Sequence, residues 1–272
     1  MANEERIFLA NGWTATIFHL GKTRKVIKVL DKKDYPGEKH FQRERQAYER
    51  MSQHNPPSSI LKFYGVEEPL GLVFELAENG SMDAYLWGCL CSKSRPESAI
   101  LYRWATQAAE ALAFVHSCGI IHCDIHVANF FLDREFNLKI GDFGACAIDG
   151  GVQLMTYRRT HQLWIMKEDR WRKAISVASE IFALGSTMFN METMRDPMQD
   201  LDHEKDRDEI ARRIRENEMP STGGLVSLGA YVKKCWKLEY SSMSDLLRDL
   251  GESNPLQDRE ALNLFDIQGK GE

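Results

Sequence analysis

Apolar and polar residues alternate with the two-residue period of β-strands through much of the first 30 positions of the chain. The alternating runs lie at residues 7–9, 14–20 and 26–30. Residues 10–13 contain Asn and Gly between the first two runs, which is typical of a turn. The pattern therefore predicts three consecutive strands of a small antiparallel sheet.

A helical spacing of apolar residues replaces this alternation over residues 38–51, where many charges lie between the apolar positions. The Asn-Pro-Pro sequence at 55–57 ends the predicted helix, because proline cannot donate a backbone hydrogen bond. Two further runs of strand character follow at 60–66 and 70–76. We therefore predict one helix and two more strands before residue 77.

Helical periodicity dominates the chain beyond a loop at 77–81. The predicted helices lie at residues 100–115, 177–193, 202–217, 224–236 and 242–250. The helix at 177–193 is apolar on most sides, which indicates a buried element, whereas the helix at 202–217 is charge-rich and is expected on the surface.

This order of elements predicts the α+β class. A small antiparallel β lobe with one helix is expected at residues 1–76, and a larger, mainly helical lobe at residues 82–272. The loop at 77–81 is predicted to link the two lobes of this single domain. Because ligands bind preferentially in clefts, polar residues near the junction are the first candidates for a functional site.

Composition narrows the classes of partner. Hydrophobic residues make up 43% and charged residues 28% of the chain, as in a folded globular protein, and the net charge is −5. A negative net charge gives no broad electrostatic attraction to nucleic acid or to anionic lipid, so neither is expected as a partner. No apolar run approaches 18 residues and the chain begins with polar, acidic residues. We therefore expect a soluble protein of the cytoplasm or nucleus, with its six cysteines reduced.

Four polar residues at fixed offsets around two short apolar runs provide the candidate chemistry. They are His122, Asp124, Asn129 and Asp142, and Phe143 follows the last of them. Phosphoryl transfer from a metal-bound nucleotide needs one carboxylate that orients or deprotonates the attacking hydroxyl. It also needs an amide and a second carboxylate that hold Mg²⁺. The spacing therefore points to phosphoryl transfer.

This run resembles the H-R-D-x-x-x-x-N and D-F-G motifs of protein kinases. Further segments carry the same resemblance: V-I-K ends at Lys28, residues 72–82 look like a kinase hinge, and C-W at 235–236 resembles a pair in the late helices. The wording of several motifs looks most like small kinase-domain proteins of filamentous fungi. The resemblance implies a two-lobed protein-kinase-like fold and transfer of the ATP γ-phosphate to a protein hydroxyl, by default of Ser or Thr.

The resemblance also implies roles for individual residues, with ATP and Mg²⁺ as cofactors and a protein substrate or signalling partner. The catalytic group comprises Asp124 as base, Lys28 on the α- and β-phosphates, Glu44 as the partner of Lys28, and His126 near the γ-phosphate. The expected Mg²⁺ ligands are Asn129 and Asp142. The residues expected around ATP are Ala10, Gly12, Ala15, Ile17, Val26, Lys28, Phe74, Glu75, Ala77 and Phe131.

Several positions depart from the kinase pattern. Only Gly12 remains of three glycines that normally cover the phosphates, which weakens the close approach of backbone amides. Cys123 replaces the arginine that receives an activation-loop phosphate, so control through such a phosphate is not expected. His126 replaces a lysine and supplies no full charge when neutral. Val26 and Phe131 are larger than usual and are expected to narrow the adenine slot.

The chain after D-F-G also differs. The Met-Lys-Glu sequence at 166–168 stands where A-P-E closes the activation segment, and Met243 occupies the position of the arginine that would pair with that glutamate. Glu180 replaces an aspartate that normally ties down the catalytic loop, and the loop is expected to absorb the extra methylene. Thr156, Tyr157 and Thr160 are candidate phosphosites by position only, and each is expected to be a solvated loop residue.

Three functions remain open at this level. The first is an active ATP- and Mg²⁺-dependent protein kinase, favoured because the expected Lys, Glu, Asp, Asn and second Asp are all present. The second is a pseudokinase, a binding or scaffold module with weak or no transfer, which the altered glycine loop and His126 favour. The third is a small-molecule phosphotransferase, which shares H-x-D-x-x-x-x-N.

Overall fold

The computed structural model describes residues 5–12, 15–31, 35–67 and 71–252, and its first strands form one antiparallel sheet. These strands are β1 (Arg6–Asn11), β2 (Ala15–Leu20), β3 (Lys25–Leu30), β4 (Phe63–Glu67) and β5 (Gly71–Glu75), in the spatial order β1-β2-β3-β5-β4. The predicted small antiparallel sheet is confirmed. The parts of the predicted turn, strands and lobe ends that fall on residues 1–4, 13–14, 70 and 253–272 lie outside the described residues.

The register of the sheet decides which side chains share a face, because directly opposite residues of antiparallel strands point the same way. Ile17 pairs with Lys28, and Val26 pairs with Phe74. Since Val26 and Lys28 are two residues apart on β3, all four side chains lie on one face. The face that carries the candidate lysine therefore also carries three of the expected adenine contacts.

One helix, α1 (Tyr35–Met51), packs against this sheet, as its apolar spacing predicts. Its buried face comprises Phe41, Glu44, Ala47, Tyr48 and Met51. The ring of Tyr48 lies 4.9 Å from that of Phe74 in the sheet and 5.1 Å from that of Phe143 in the other lobe. The two lobes therefore share one aromatic cluster beside the cleft.

The second lobe is mainly helical, as predicted. Its helices are α2 (Met82–Cys91), α3 (Ser98–Ser117), α4 (Val177–Thr193), α5 (Arg207–Arg215), α6 (Gly229–Trp236) and α7 (Met243–Glu252). The side chains of α4 are buried almost throughout, which confirms the interpretation of its apolar composition. None of the helices formed by the described residues is long and apolar enough to cross a membrane.

Two helix starts differ from the prediction by five residues each. α5 starts at Arg207 instead of 202, because the side chain of Asp202 accepts hydrogen bonds from the backbone N–H groups of Glu204 and Lys205 and forms a turn. α6 starts at Gly229 instead of 224, because the buried carboxylate of Glu192 accepts the N–H groups of residues 226–228. These side-chain acceptors replace the helical hydrogen bonds that the spacing alone suggests.

Short antiparallel pairs position the loops at the cleft. The strands are β6 (Ile120–Ile121), β7 (Phe130–Leu132), β8 (Leu138–Ile140), β9 (Ala147–Ile148), β10 (Trp164–Lys167) and β11 (Arg170–Lys173). β6 pairs with β9 and β7 pairs with β8. The residues between β6 and β7 and those between β8 and β9 therefore form neighbouring loops that face the sheet.

The pair β10–β11 overturns the expectation for residues 166–168. These residues belong to an exposed hairpin, and the turn residues Glu168 and Asp169 both have positive φ, of 51° and 58°. Successive left-handed residues are the geometry of a tight hairpin turn. Glu168 therefore lies at the tip of a hairpin and does not close the segment in the way that A-P-E would. Because Glu168 is exposed at this tip, it has no need of a buried arginine partner, which agrees with methionine at position 243.

Candidate active site

A buried ion-pair cluster joins the sheet, α1 and the D-F-G loop. The Lys28 Nζ atom lies 2.7 Å from Glu44 Oε2 and 3.0 Å from Asp142 Oδ1. Glu44 lies on the buried face of α1, and Lys28 lies on the cleft face of β3. The structure thus brings together three residues that are far apart in sequence, in the arrangement that their motif positions predict.

The charges of this cluster fix the protonation of its lysine. Burial alone would lower the pKa of Lys28, but the carboxylates of Asp142 and Glu44 outweigh this effect and raise it. Burial raises the pKa of Glu44 to about 7, against the opposing charge of Lys28. Lys28 therefore remains a cation at neutral pH, as a ligand of phosphate must.

Asp124 lies at the mouth of the loop between β6 and β7, held by two neighbours. Its Oδ2 atom accepts a hydrogen bond of 2.9 Å from Asn129 Nδ2, and its Oδ1 atom lies 3.2 Å from His126 Nε2. Burial alone would raise the pKa of Asp124, yet the hydrogen bond and charge of His126, with those of its other neighbours, lower it below its usual range. Asp124 is therefore an ionised carboxylate in a fixed orientation.

The backbone of this loop is anchored from below by Glu180 of α4. The fully buried carboxylate accepts the N–H groups of His122 and Cys123, each at 3.0 Å. Cys123 adopts a left-handed conformation with φ of 68°, and burial raises the pKa of its thiol. Glu180 thus fills the anchoring position expected for it, with the longer side chain accommodated. Cys123 is an inert, buried residue of the loop.

The two loops are joined through His122 and Phe143. The His122 side chain bonds the carbonyl of Gly141 through Nε2, at 3.0 Å, and its Nδ1 accepts the N–H of Asp124. The Phe143 ring packs 4.6 Å from the His122 ring, between centroids. Asp142 itself has φ of 60°, which turns its carboxylate toward Lys28. The positions of Asp124 and Asp142 are therefore mechanically linked.

The oxygen atoms that Asn129 and Asp142 leave available match the preference of Mg²⁺ for hard oxygen ligands. Asn129 uses its Nδ2 atom to bond Asp124, and its Oδ1 atom has no hydrogen-bond donor among the described residues. Asp142 engages Lys28 through Oδ1, and about half of its side chain is exposed to the cleft. One amide oxygen and one carboxylate are thus available. Mg²⁺ is commonly held by so few protein ligands, with phosphates and waters completing the shell.

A cavity of about 150 Å³ opens above these groups. It is lined by Gly12, Ala15, Lys28, Leu30, His40, Phe41, Glu44, Asp124, Asp142, Gly144, Ala145 and Met155. Six of the residues predicted from the sequence contribute to it: Gly12, Ala15, Lys28, Glu44, Asp124 and Asp142. Ala10 lies on β1 opposite Ile17. The cavity therefore brings together side chains of the sheet, of α1 and of both loops.

The lining residues that the sequence analysis did not assign to the site include His40 and Met155. His40 lies one helical turn before Glu44 on α1, so the i, i+4 spacing points it into the same cleft. Burial lowers the pKa of His40. That spacing is the signal by which His40 could have been found. Met155 follows no motif and reaches the cavity only through the path of the loop after β9.

The hinge residues leave backbone groups open beside the sheet. The N–H groups of Glu75 and Leu76 donate to the carbonyls of Lys62 and Arg24, whereas the N–H of Ala77 donates to no described residue. Glu75 turns its side chain away and pairs with Lys139 at 3.1 Å. An unengaged N–H at this point suits a planar heterocycle that presents a hydrogen-bond acceptor.

Phe131 lies on β7, and its ring packs against Gly141. A Cβ atom built on Gly141 would lie 3.0 Å from the ring of Phe131 and 3.2 Å from Leu61. Glycine at position 141 therefore makes room for the ring. The narrowing of the adenine slot expected from Phe131 stays a prediction.

Arginines of α1 clamp the loop that follows D-F-G. Arg43 donates to the carbonyls of Cys146 and Val152, the latter at 3.0 Å. Arg50 forms a two-pronged pair with Asp149, with both N···O distances 2.7 Å. These contacts hold α1 in the position that keeps Glu44 against Lys28, and they require no phosphate group.

Tyr157 and Thr160 are buried, so the expectation of solvated loop residues is wrong for both. The Tyr157 hydroxyl donates to Glu180 at 2.7 Å, and burial raises the pKa of the phenol. The Thr160 carbonyl accepts a bond of 2.8 Å from Ser186. Residues 157–160 therefore pack beneath the loop between β6 and β7, because the buried carboxylate of Glu180 accepts a hydrogen bond from Tyr157.

Comparison with known proteins agrees with this geometry. The family described as protein kinase domain matches residues 12–259. A probable serine/threonine-protein kinase of Dictyostelium discoideum is 33% identical over 147 residues, which cover 53% of this chain and 28% of that protein. The non-receptor tyrosine-protein kinase TNK1 of Mus musculus is 30% identical over 138 residues, covering 48% and 21%.

A third relative, the serine/threonine-protein kinase PLK4 of Drosophila melanogaster, is 28% identical over 181 residues, which cover 64% of this chain and 22% of that protein. The chain thus spans about a fifth to just over a quarter of the length of these curated relatives. The family match covers most of the chain, and the structure brings its motif residues into one cleft. The chain belongs to the protein kinase domain family.

Proposed function

We propose that the chain is an ATP- and Mg²⁺-dependent protein kinase that transfers the γ-phosphate to a Ser or Thr hydroxyl of a protein. The observation that carries the proposal is the assembled ion-pair cluster, with Lys28 Nζ 2.7 Å from Glu44 and 3.0 Å from Asp142. The domain is proposed to comprise a small lobe at 1–76, a link at 77–81 and a large lobe at 82–272. The likeness to fungal proteins stays a prediction.

Each side chain would have a distinct part in the transfer. Asp124, ionised and oriented by Asn129 and His126, would align the substrate hydroxyl and accept its proton. Lys28 would hold the α- and β-phosphates, and Glu44 would keep that lysine in place. His126, which lies 3.2 Å from Asp124, would face the γ-phosphate as a hydrogen-bond donor without a full charge.

Cofactor binding would use the groups that the protein leaves open. Asn129 Oδ1 and the Asp142 carboxylate would hold Mg²⁺, which supplies positive charge to the phosphate oxygens. Ala77 N–H would donate to adenine between Ile17, Val26 and the floor at Phe131, with Phe74 at the back and Glu75 presenting its backbone. Ala10, Gly12 and Ala15 would cover the phosphates, with weaker backbone contact than three glycines would give.

The test is nucleotide binding and phosphate transfer in the wild type and in Asp124→Asn. We expect MgATP to raise the melting temperature of both proteins, because Asp124 is not assigned to the nucleotide. Transfer to a mixed Ser/Thr peptide pool should fall by at least about a thousandfold in Asp124→Asn, because the amide cannot accept a proton. Asp83→Asn, on the exposed start of α2, is the matched control and should retain full transfer.

A pseudokinase, which binds partners without efficient transfer, is the second candidate. It is favoured by the loss of two loop glycines and by His126 in place of a lysine. A melting shift with MgATP but no transfer that depends on Asp124 would support this candidate. No melting shift at all would overturn the proposal of an ATP-dependent enzyme.

A further inference from the structure

The β10–β11 hairpin carries an exposed basic face. The side chains of Ile165, Lys167, Arg170 and Arg172 lie on this face, because Ile165 is directly opposite Arg172 and Lys167 directly opposite Arg170. All four residues are exposed. Three cations around one apolar residue therefore form a compact patch, called here the basic face.

The cations of the basic face outnumber the acidic residues of the hairpin, which are Glu168 and Asp169 at its turn. Like charges directly opposite each other destabilise a β-pair. None of Lys167, Arg170 and Arg172 forms an ion pair with any residue in the ranges that the structure describes. By contrast, Arg212 and Arg213 on α5 are fully engaged with carboxylates. The basic face is thus suited to a negatively charged partner.

The opposite face of the hairpin attaches it to α5. It carries Trp164 and Trp171, and the guanidinium of Arg215 lies 5.9 Å and 5.7 Å from the centres of their rings. Such contacts between a cation and aromatic rings stabilise the packing of exposed elements. Since the two faces of a strand pair point in opposite directions, this attachment turns the basic face away from α5.

The base of the hairpin adjoins the catalytic loop. Ala174 N–H donates to the Leu163 carbonyl at 2.9 Å and closes the base. Adjacent residues of α4 hold both segments. Ser186 donates to the carbonyl of Thr160, shortly before the base, at 2.8 Å. Thr187 donates to the carbonyl of Ile125, next to Asp124, at 3.4 Å. A polypeptide that presents a hydroxyl to Asp124 would therefore pass close to the hairpin.

We propose that the basic face binds an acidic segment of the protein substrate whose hydroxyl is delivered to Asp124. The inference deepens the proposed function and rests on it. The occupant that fits both the local positive charge of the basic face and the protein hydroxyl of the proposed reaction is a locally acidic polypeptide. Ile165, 41% exposed amid the cations, adds an apolar contact for a side chain of that segment.

The test uses two peptides that contain one Ser and differ only in four Glu or four Gln residues flanking it. The hairpin variant is Lys167→Gln/Arg170→Gln/Arg172→Gln. The control variant removes the same charge at exposed positions on other elements: Arg95→Gln/Lys233→Gln/Lys237→Gln. The variants of the whole 272-residue chain are compared by kcat/KM for each peptide and by melting temperature, which should not fall because only surface charges are removed.

We expect the wild type and the control variant to favour the Glu peptide by about tenfold, since exposed ion pairs are each worth a few-fold at most. The preference should vanish in the hairpin variant and weaken as salt is raised, because exposed charges are screened. If the wild type phosphorylates both peptides equally, the inference is overturned and the proposed function stands.

Direct binding separates the remaining outcomes. If neither peptide is phosphorylated, the proposed function has failed; fluorescence anisotropy of the labelled Glu peptide then decides the docking face on its own. Binding that is lost only in the hairpin variant supports the basic face as an acidic-peptide site. Absence of binding overturns it. Equally tight binding of single-stranded poly-U RNA, lost in the same variant, would assign the face to nucleic acid and would also overturn the inference.

Discussion

The cleft and the β10–β11 hairpin have opposite electrostatic organisation. In the cleft, Lys28 lies between two carboxylates and Asp124 is held by Asn129 and His126, so each charged group has a partner within the protein. On the hairpin, Lys167 lies directly opposite Arg170. The difference indicates that the cleft is preorganised for its chemistry, whereas the hairpin has its charge available for an external partner.

The largest expected effect comes from removing the positive charge of Lys28 from the ion-pair cluster in the cleft. Lys28→Met should lower the transfer rate by about a hundred- to a thousandfold, because removing one preorganised electrostatic contact to the reacting phosphates typically has that effect. The measurement is kcat/KM with saturating Mg²⁺. Lys22→Met, in the exposed turn between β2 and β3, is the matched control. A loss of less than tenfold in Lys28→Met would contradict the assigned role.

Replacing the anchor beneath the catalytic loop should be next in size. Glu180→Gln keeps the shape but turns an amide toward donors that need an acceptor, including the N–H groups of His122 and Cys123. We expect the free energy of unfolding in urea to fall by about 3 kcal/mol, the usual cost of breaking a buried charged network. Glu135→Gln, on an exposed turn, should change it by less than about 0.5 kcal/mol.

Lowering the pH should reduce the stability of the fold through His161, which is buried in the segment that precedes the hairpin in sequence. Burial lowers the pKa of His161 from 6.5 to about 3, so the unfolded chain binds a proton at this residue that the folded chain excludes. Stability from His161 is therefore complete above pH 6.5 and is lost as the pH falls toward 3. Over 1.5 pH units, to pH 5, the loss is about 2 kcal/mol.

Urea unfolding at pH 7 and pH 5 checks this dependence. In His161→Gln the decrease between the two pH values should be about 2 kcal/mol smaller than in the wild type. His54→Gln, an exposed histidine, is the control and should keep the wild-type decrease. An identical decrease in His161→Gln and wild type would mean that another group titrates.

The smallest expected effect comes from Tyr157, which lies in the buried segment that precedes the exposed hairpin. Tyr157→Phe removes the hydroxyl that donates to Glu180 at 2.7 Å, and should lower the free energy of unfolding by about 1–2 kcal/mol, as for a hydrogen bond to a charged group. Thr156→Ala, at its exposed neighbour, should have almost no effect. Equal stability of both variants would argue that Tyr157 is only a space-filling residue.

Motif spacing was sufficient to predict the cluster at the cleft. Lys28, Glu44, Asp124, Asn129 and Asp142 come together because short strands and one helix hold their loops at fixed distances, and such spacing is visible in the sequence. The sheet and the buried helix α4 were predictable for a similar reason, since their apolar periods are strong.

The elements that sequence reasoning missed are those with no clean period or with unfavourable strand composition. α2 (Met82–Cys91) carries apolar residues on all sides, so it shows no stripe that identifies a helix. β10 and β11 are rich in Lys and Arg, which are uncommon in strands, and turn through Glu168 and Asp169 without glycine. Their pairing is set by tertiary contacts with α5, which no local pattern encodes.

The clamp made by Arg43 has a consequence for how this chain can evolve. Its acceptors are the carbonyls of Cys146 and Val152, which every amino acid supplies. The side chain of the exposed Val152 can therefore be exchanged over many generations without releasing Arg43, provided that the backbone keeps its path. Asp149 is different, because its carboxylate pairs with Arg50 and a substitution there would lose that contact with α1.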